Sequence, residues 1–223
     1  MISFIVPSHN YGSLISNCVS SIMKNEKNFI REIIVVNDSS SDHTDEVIKK
    51  LKKKYKKIKF FKKNFKNLSK TMNYGILKST GNIICKIDAD DTVTSNFAKK
   101  KYKFFLKSKS DFLYSDLVIR DKIKNLQYKK RQVANFFLKS LFYPCGSGCL
   151  FKKKIWKKVG GYNTNNFYQD DYDFWLRIKK LKGIRISYLN EALYVYNKHE
   201  TNMSNNLFKK NLTKIKIFIK NIF

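Results

Sequence analysis

Two groups of acids stand out in a chain that carries 46 lysines and arginines against 17 aspartates and glutamates. Asp88, Asp90 and Asp91 end the run Asn82-Ile-Ile-Cys-Lys-Ile-Asp-Ala-Asp-Asp91, whose first part reads as a short β-branched strand. Carboxylates gathered at a strand end repel one another, and oxygen ligands suit Mg²⁺ or Mn²⁺, so a divalent cation is one reading. Helix capping is the other: Asp90 or Asp91 could cap the helix that starts near Ser95, where the dipole favours acids. The second group is Asp170, Asp171 and Asp173, which open a helix in Gln169-Asp-Asp-Tyr-Asp-Phe-Trp-Leu-Arg177. Capping explains these as well, and only their number in so acid-poor a chain argues against it.

The elements around these acids alternate. Ile2–Val6 is an apolar run fit for a strand buried on both faces, ended by Pro7-Ser-His-Asn10. Leu14, Ile15, Cys18, Val19 and Ile22 recur at helical spacing behind a Ser13 cap. Glu32–Asp38 is a second strand, Thr44–Lys54 a helix, Ile58–Phe61 a third strand, and Ser69–Lys78 a helix closed by Gly81 as its C′ residue. With 82–88 as the fourth strand, this order predicts an α/β, doubly wound sheet. Its polar strand ends, Pro7 to Asn10, Asn37-Asp38 and Asp88 to Asp91, share one rim, as a binding crevice requires. Further on, Phe97–Leu106 reads as a helix, 111–120 as one or two strands, 121–143 has no clear pattern, and Gly160-Gly161 ends a basic helix. Residues 184–188 and 192–196 read as two closing strands, with His199 in the loop beyond.

At 223 residues the chain is long enough for one full α/β core. It starts directly on a strand and has no apolar run of membrane-spanning length, so the expectation is a cytoplasmic protein. Cys145-x-x-x-Cys149 has no partner at zinc spacing, and free thiols are expected for Cys18, Cys85, Cys145 and Cys149. The net charge of +29 asks for an anionic partner: nucleic acid, membrane or a phosphorylated substrate.

In order along the chain, Ile5-Val-Pro-Ser-His-Asn10, Val36-Asn-Asp-Ser-Ser-Ser-Asp-His-Thr44, Leu68-Ser-Lys-Thr-Met-Asn-Tyr-Gly-Ile76, Ile87-Asp-Ala-Asp-Asp91, Gly160-Gly-Tyr162 and Asp170-Asp-Tyr-Asp-Phe-Trp-Leu-Arg177 resemble the family 2 nucleotide-sugar glycosyltransferases. The resemblance implies the GT-A fold, a Rossmann-like, mostly parallel central sheet with helices on both faces, over residues 1–205. It implies a metal-dependent, inverting transfer from a nucleotide-diphosphate sugar, a UDP-sugar first, to a hydroxyl of a glycan or lipid-linked acceptor in surface polysaccharide synthesis. Pro7, His9 and Asn10 would then border the base, Asp38 would accept a uracil N–H, and Asp88 would bind the ribose or the metal. Asp90 would bind the Mn²⁺ or Mg²⁺ cofactor, Asp91 would support it on the sugar side, and His199 would close on the diphosphate or metal unless it is a lone surface histidine. Asp171 would be the general base. Asp170 stands where the family usually has Glu, which leaves the choice between the two acids open, and Asp173 is structural or acceptor-facing. Gly146, Ser147 and Gly148 would lie under the donor or acceptor sugar, or form only a turn. Trp156 and Trp175 fit a core better than a sugar platform.

Residues 206–223 sort into an apolar and a lysine face, fit for a helix that lies on an anionic membrane on the inner side of the cell or packs on the domain. Two rival readings remain. A nucleic-acid-binding protein fits the charge but leaves the acidic rim unexplained, and lysine is spread along the chain rather than clustered. A sugar nucleotidyltransferase lacks its Gly-rich, Arg-containing loop after strand one.

Overall fold

The computed structural model describes residues 1–132, 146–165 and 169–202, with positions 213 and 217. Its framework is β1 (Ile2–Ser8), α1 (Ile15–Met23), β2 (Ile30–Asp38), α2 (Thr44–Lys54), β3 (Ile58–Lys63), α3 (Leu68–Lys78), β4 (Ile83–Lys86), β5 (Thr92–Val93) and α4 (Phe97–Lys107). Then come β6 (Phe112–Asp121), β7 (Leu126–Lys130), β8 (Leu150–Lys152), α5 (Lys153–Lys158), α6 (Asp170–Lys179) and β9 (Ile186–Lys198). One sheet runs β3-β2-β1-β4-β8-β6-β9-β5, with β7 paired to β6. The pairs β3–β2, β2–β1, β1–β4 and β6–β9 are parallel, and β8, β5 and β7 enter antiparallel.

Alternation along the strands divides the core between the two faces. Ile2, Phe4, Val6, Ile33, Val35, Ile83 and Cys85 meet α1, α2 and α4 on one side. Ile5, Ile34, Val36 and Ile84 meet α3, α5 and α6 on the other. Each such buried aliphatic side chain contributes roughly 1.5–3 kcal/mol against exposure. The same alternation sends Lys86, two residues after Ile84, toward α6. The packing thereby aims a cation at a helix that begins with acids.

Several local expectations are revised. Pro7 does not end β1: it pairs with Val36, and only the pairing with β4 stops at Ile5, because that side would need the N–H that proline lacks. α1 begins after Leu14 with no side-chain cap from Ser13, whereas α3 is capped by Asn67, whose Oδ1 accepts from Lys70 N at 2.9 Å. Gly81 does not take a left-handed φ. Instead its N–H donates to Ser3 Oγ at 3.2 Å, and a β-carbon there would meet that oxygen. The two closing strands are one, β9, which bends around Asn190–Leu193, where its pairing with β6 shifts register between Ser115 and Leu117. Cys18, Cys85 and Cys149 are buried, the first two as free thiols; Cys145 lies outside the described residues. So does most of 206–223, but Thr213 and Ile217 are helical, and Ile217, 3 % exposed, joins the core cluster of α5 and α6.

Candidate active site

Asp88, Asp90 and Asp91 follow β4 at the carboxyl-end rim, and none caps α4: its N-cap is Asn96, and no side chain caps it. The three differ in environment. Asp88 keeps a third of its side-chain surface, and its Oδ2 accepts from Ser147 Oγ at 2.5 Å. Asp90 is mostly buried; its Oδ2 lies 3.1 Å from both His199 Nε2 and Asn202 Nδ2. Burial, then the neighbouring charge of Asp88, pushes its carboxyl up. Asp91 is wholly buried and accepts from Tyr194 Oη and, at 2.7 Å, from Asn197 N. The sequence sets Asp91 on the sugar side; as folded, its carboxylate bonds β9 and in that way holds the strand that delivers His199.

Asp170 and Asp171 open α6, whose N-cap is Gln169, without a side-chain capping bond. Capping is not their task. Lys86 Nζ, almost fully buried, lies 2.8 Å from Asp171 Oδ2, 3.5 Å from Asp88 Oδ1 and 4.0 Å from Asp170 Oδ2. Burial alone would lower the Lys86 pKa, but Asp171, Asp88 and Asp170 outweigh it and hold the ammonium protonated. Asp171 keeps 19 % of its side-chain surface against 10 % for Asp170. Among the described residues, Asp171 Oδ1 and Asp170 Oδ2 are both buried and have no hydrogen-bond partner. Asp173 is structural: its Oδ2 accepts from both Nε and Nη2 of Arg177, which also donates to the Gly161 carbonyl at 2.7 Å.

The turn Gly146-Ser147-Gly148 seats itself against both acid groups. Gly146 packs on Asp171, Ser147 bonds Asp88, and Gly148, at φ +77°, donates to the Lys86 carbonyl and accepts from the buried Lys101 ammonium at 2.5 Å. Trp175 packs on Phe112, and Trp156 donates to Asn73; both are framework.

On the opposite side of the rim, Pro7 is buried in β1, while His9 and Asn10 are exposed. His9 Nδ1 donates to the Asp38 carbonyl at 2.7 Å, and Asn10, at φ +57°, accepts from Ser41 N. Asp38 differs from the expectation. It accepts from Phe65 N, Lys66 N and Ser39 Oγ on Oδ1 and from Asn67 N and Thr71 Oγ1 on Oδ2, which fills its lone pairs. Burial pushes its carboxyl up, but these bonds outweigh it and hold it below the usual range. As folded, the residue shapes the 64–67 loop and has no acceptor to spare for a base.

Among the described residues no three His, Cys, Asp or Glu side chains form a ready-made metal cage. The donors nevertheless fit a hard cation of the kind that takes one or two carboxylates and completes its shell with phosphate oxygens and water. Asp88 and Asp90 are mutually repelling oxygen donors beside an imidazole, and the raised Asp90 carboxyl marks negative charge that a cation would relieve.

Sequence reading missed Lys86, Lys101, Tyr194, Asn197 and Asn202. Lys86 had a signal, since a lysine inside Ile83-Ile-Cys-Lys-Ile87 is a buried cation and so requires an anionic partner.

A mixed sheet, parallel over β3-β2-β1-β4, with helices on both faces and acids at the carboxyl rim of its parallel half, is the GT-A architecture. The mannosyltransferase PcManGT of Pyrobaculum calidifontis, solved with GDP-Man and Mn²⁺, superposes with a TM-score of 0.76 at 16 % identity, over 99 % of this chain and 64 % of that one. The sequence model of Glycosyl transferase family 2 matches residues 3–191, and the chain belongs to that family. It is a glycosyltransferase. Among its relatives, the O-antigen biosynthesis glycosyltransferase WbnJ of Escherichia coli is 26 % identical over 89 % of this chain and 80 % of its own. The UDP-Glc:alpha-D-GlcNAc-diphosphoundecaprenol beta-1,3-glucosyltransferase WfgD, also of Escherichia coli, is 28 % identical over 94 % of this chain and 82 % of its own.

Proposed function

We propose that the chain transfers a sugar, with inversion, from a UDP-sugar to a hydroxyl of a glycan or lipid-linked acceptor in surface polysaccharide assembly. The observation that carries this reading is the Lys86 ammonium. It joins Asp171 at 2.8 Å to Asp88 at 3.5 Å, and so sets a candidate base beside a candidate diphosphate site. Names of relatives support the donor and acceptor classes: WfgD carries UDP-Glc and a diphosphoundecaprenol acceptor in its name, and WbnJ belongs to O-antigen synthesis.

In this reading residues 1–205 are the catalytic domain and 206–223 an appended helix. Asp90 and Asp88, with His199, would hold Mg²⁺ or Mn²⁺, which when bound neutralises charge on the diphosphate. Asp171 takes the proton of the acceptor hydroxyl while the hydroxyl oxygen bonds to the anomeric carbon, and the bond from that carbon to the diphosphate oxygen breaks with the nucleoside diphosphate leaving. Lys86 keeps Asp171 fixed and compensates Asp170 and Asp88. Ser147 orients Asp88, and His9 and Asn10 border the base. No helix among the described residues is long and apolar enough to cross a membrane; we place the enzyme in the cytoplasm, where nucleotide sugars are.

Calorimetric titration with UDP, GDP and CDP, in Mn²⁺ and then EDTA, tests the reading on wild type and Asp90→Ala. Metal-dependent binding of UDP that is lost in the variant is the expected result. Binding indifferent to both metal and Asp90, or no nucleotide binding at all, would overturn it.

A further inference from the structure

The β6–β7 hairpin plays no part in the site just described, yet it is the most exposed piece of regular structure in the described chain. Every residue from Lys122 to Arg131 is exposed, and among the described residues β7 pairs with β6 alone. Three of these residues are bulky and apolar: Ile123 at 52 %, Leu126 at 55 % and Tyr128 at 52 % exposure. Around them stand Arg120, Lys122, Lys124, Lys129, Lys130 and Arg131. The acids that face this group are already engaged: Asp121 with Lys198 at 2.8 Å, and Asp116 with Lys129 at 3.0 Å.

The tip has a fixed shape. Asp121 Oδ1 accepts from the N–H groups of Ile123 and Lys124, each at 3.1 Å, and Asn125 turns the chain at φ +51°. Ile123 is thus presented outward by a hydrogen-bonded turn, and Leu126 and Tyr128 line one side of β7. Exposed aliphatic and tyrosine side chains set among cations match a bilayer interface with anionic headgroups, where lysine stems lie along the apolar layer and their charges meet phosphate. A second copy of the chain fits poorly, since lysines on an edge strand repel their like. Nucleic acid would find no stacking partner in Ile123 or Leu126.

We infer that the β6–β7 hairpin docks the protein onto an anionic lipid bilayer, with Ile123, Leu126 and Tyr128 entering the interface. The end of β6 pairs Asp121 with Lys198, and the next residue, His199, reaches Asp90, so the hairpin projects from the same rim as the carboxylates. The docking surface stands on the hairpin alone. Its use, turning that rim toward a lipid-linked acceptor, rests on the function proposed above.

The test is flotation of the full chain with vesicles of phosphatidylcholine, with and without about 30 mol % phosphatidylglycerol. Wild type should float only with the anionic vesicles, and Ile123→Ser/Leu126→Ser should lower the bound fraction at least about tenfold. Tyr128→Trp should be quenched by brominated acyl chains beyond the baseline of Trp156 and Trp175; this arm keeps the inference testable should the double variant fold poorly. Equal flotation of wild type and double variant, or no added quenching at position 128, overturns the inference. So does an oligonucleotide affinity that falls with the double variant while flotation does not. Flotation needs neither donor nor turnover, so nucleotide titration still judges the catalytic reading separately.

Discussion

A β-carbon placed on Gly146 would lie 2.1 Å from the carboxyl carbon of Asp171. No side chain other than hydrogen fits there with the acid where it is. Gly146→Ala must displace either the turn or Asp171, and a shift of an ångström in a reacting group costs about two orders of magnitude in rate. The expected result is a fall of about 100-fold in kcat with nucleotide affinity changed less than about threefold, read by steady-state kinetics and calorimetry. Unchanged kcat would separate Asp171 from the chemistry.

Burial pushes the Asp171 carboxyl up, the Lys86 ammonium pulls it back, and Asp170 and Asp88 push it up again, leaving it at about 7. A base acts in its ionised form, so kcat/KM should rise with pH through about 7 and level off above it. Lys86→Met removes the downward pull and should move this limb to higher pH; Lys86→Arg should move it back. Loss of the ammonium also leaves uncompensated acids, at a cost of roughly 3–5 kcal/mol in stability. A limb that stays in place in Lys86→Met would rule out the coupling.

Glu32 is a structural counterpart far from the rim. Burial would raise its carboxyl, but Lys59 at 2.7 Å, Ser3 and Thr80 outweigh this and bring it down to about 2. The native value lies below the unfolded one of about 4.3, so the stabilisation is complete above that pH and is lost as pH falls toward 2. Glu32→Gln should therefore cost roughly 2–3 kcal/mol near neutrality, and the gap to wild type should close on acidification. Denaturant melts at several pH values check it.

Asp38→Asn separates two roles. If the carboxylate serves the 64–67 loop, replacing one accepting oxygen with an amide should cost about 2 kcal/mol of stability and weaken UDP and CDP alike. A uracil acceptor would show instead as a changed UDP-to-CDP ratio at unchanged melting temperature.

Much of the framework was legible because its signals are local. β1, β2 and β4 are short β-branched runs buried on both faces, and α2 and α3 carry their apolar residues at helical spacing. The acids at 88–91 and 170–173 were visible too, because acids are scarce in this chain. What could not be read depends on contacts across the fold. The burial of Asp91 is set by Tyr194 and Asn197, and the saturation of Asp38 by a loop some 27 residues away. The union of 184–188 and 192–196 into β9 follows from the way β6 and β5 flank it.

The partners that β9 and its loop supply to the 88–91 acids come late in the chain. Tyr194, Asn197, His199 and Asn202 are separated from Asp90 and Asp91 by 103 to 112 residues. Until those residues have been translated, the acids lack the tyrosine, asparagines and imidazole that anchor them. The rim thus acquires its last four anchors only once β9 and the loop after it have been translated, and a chain that stops short of residue 194 lacks every one of them.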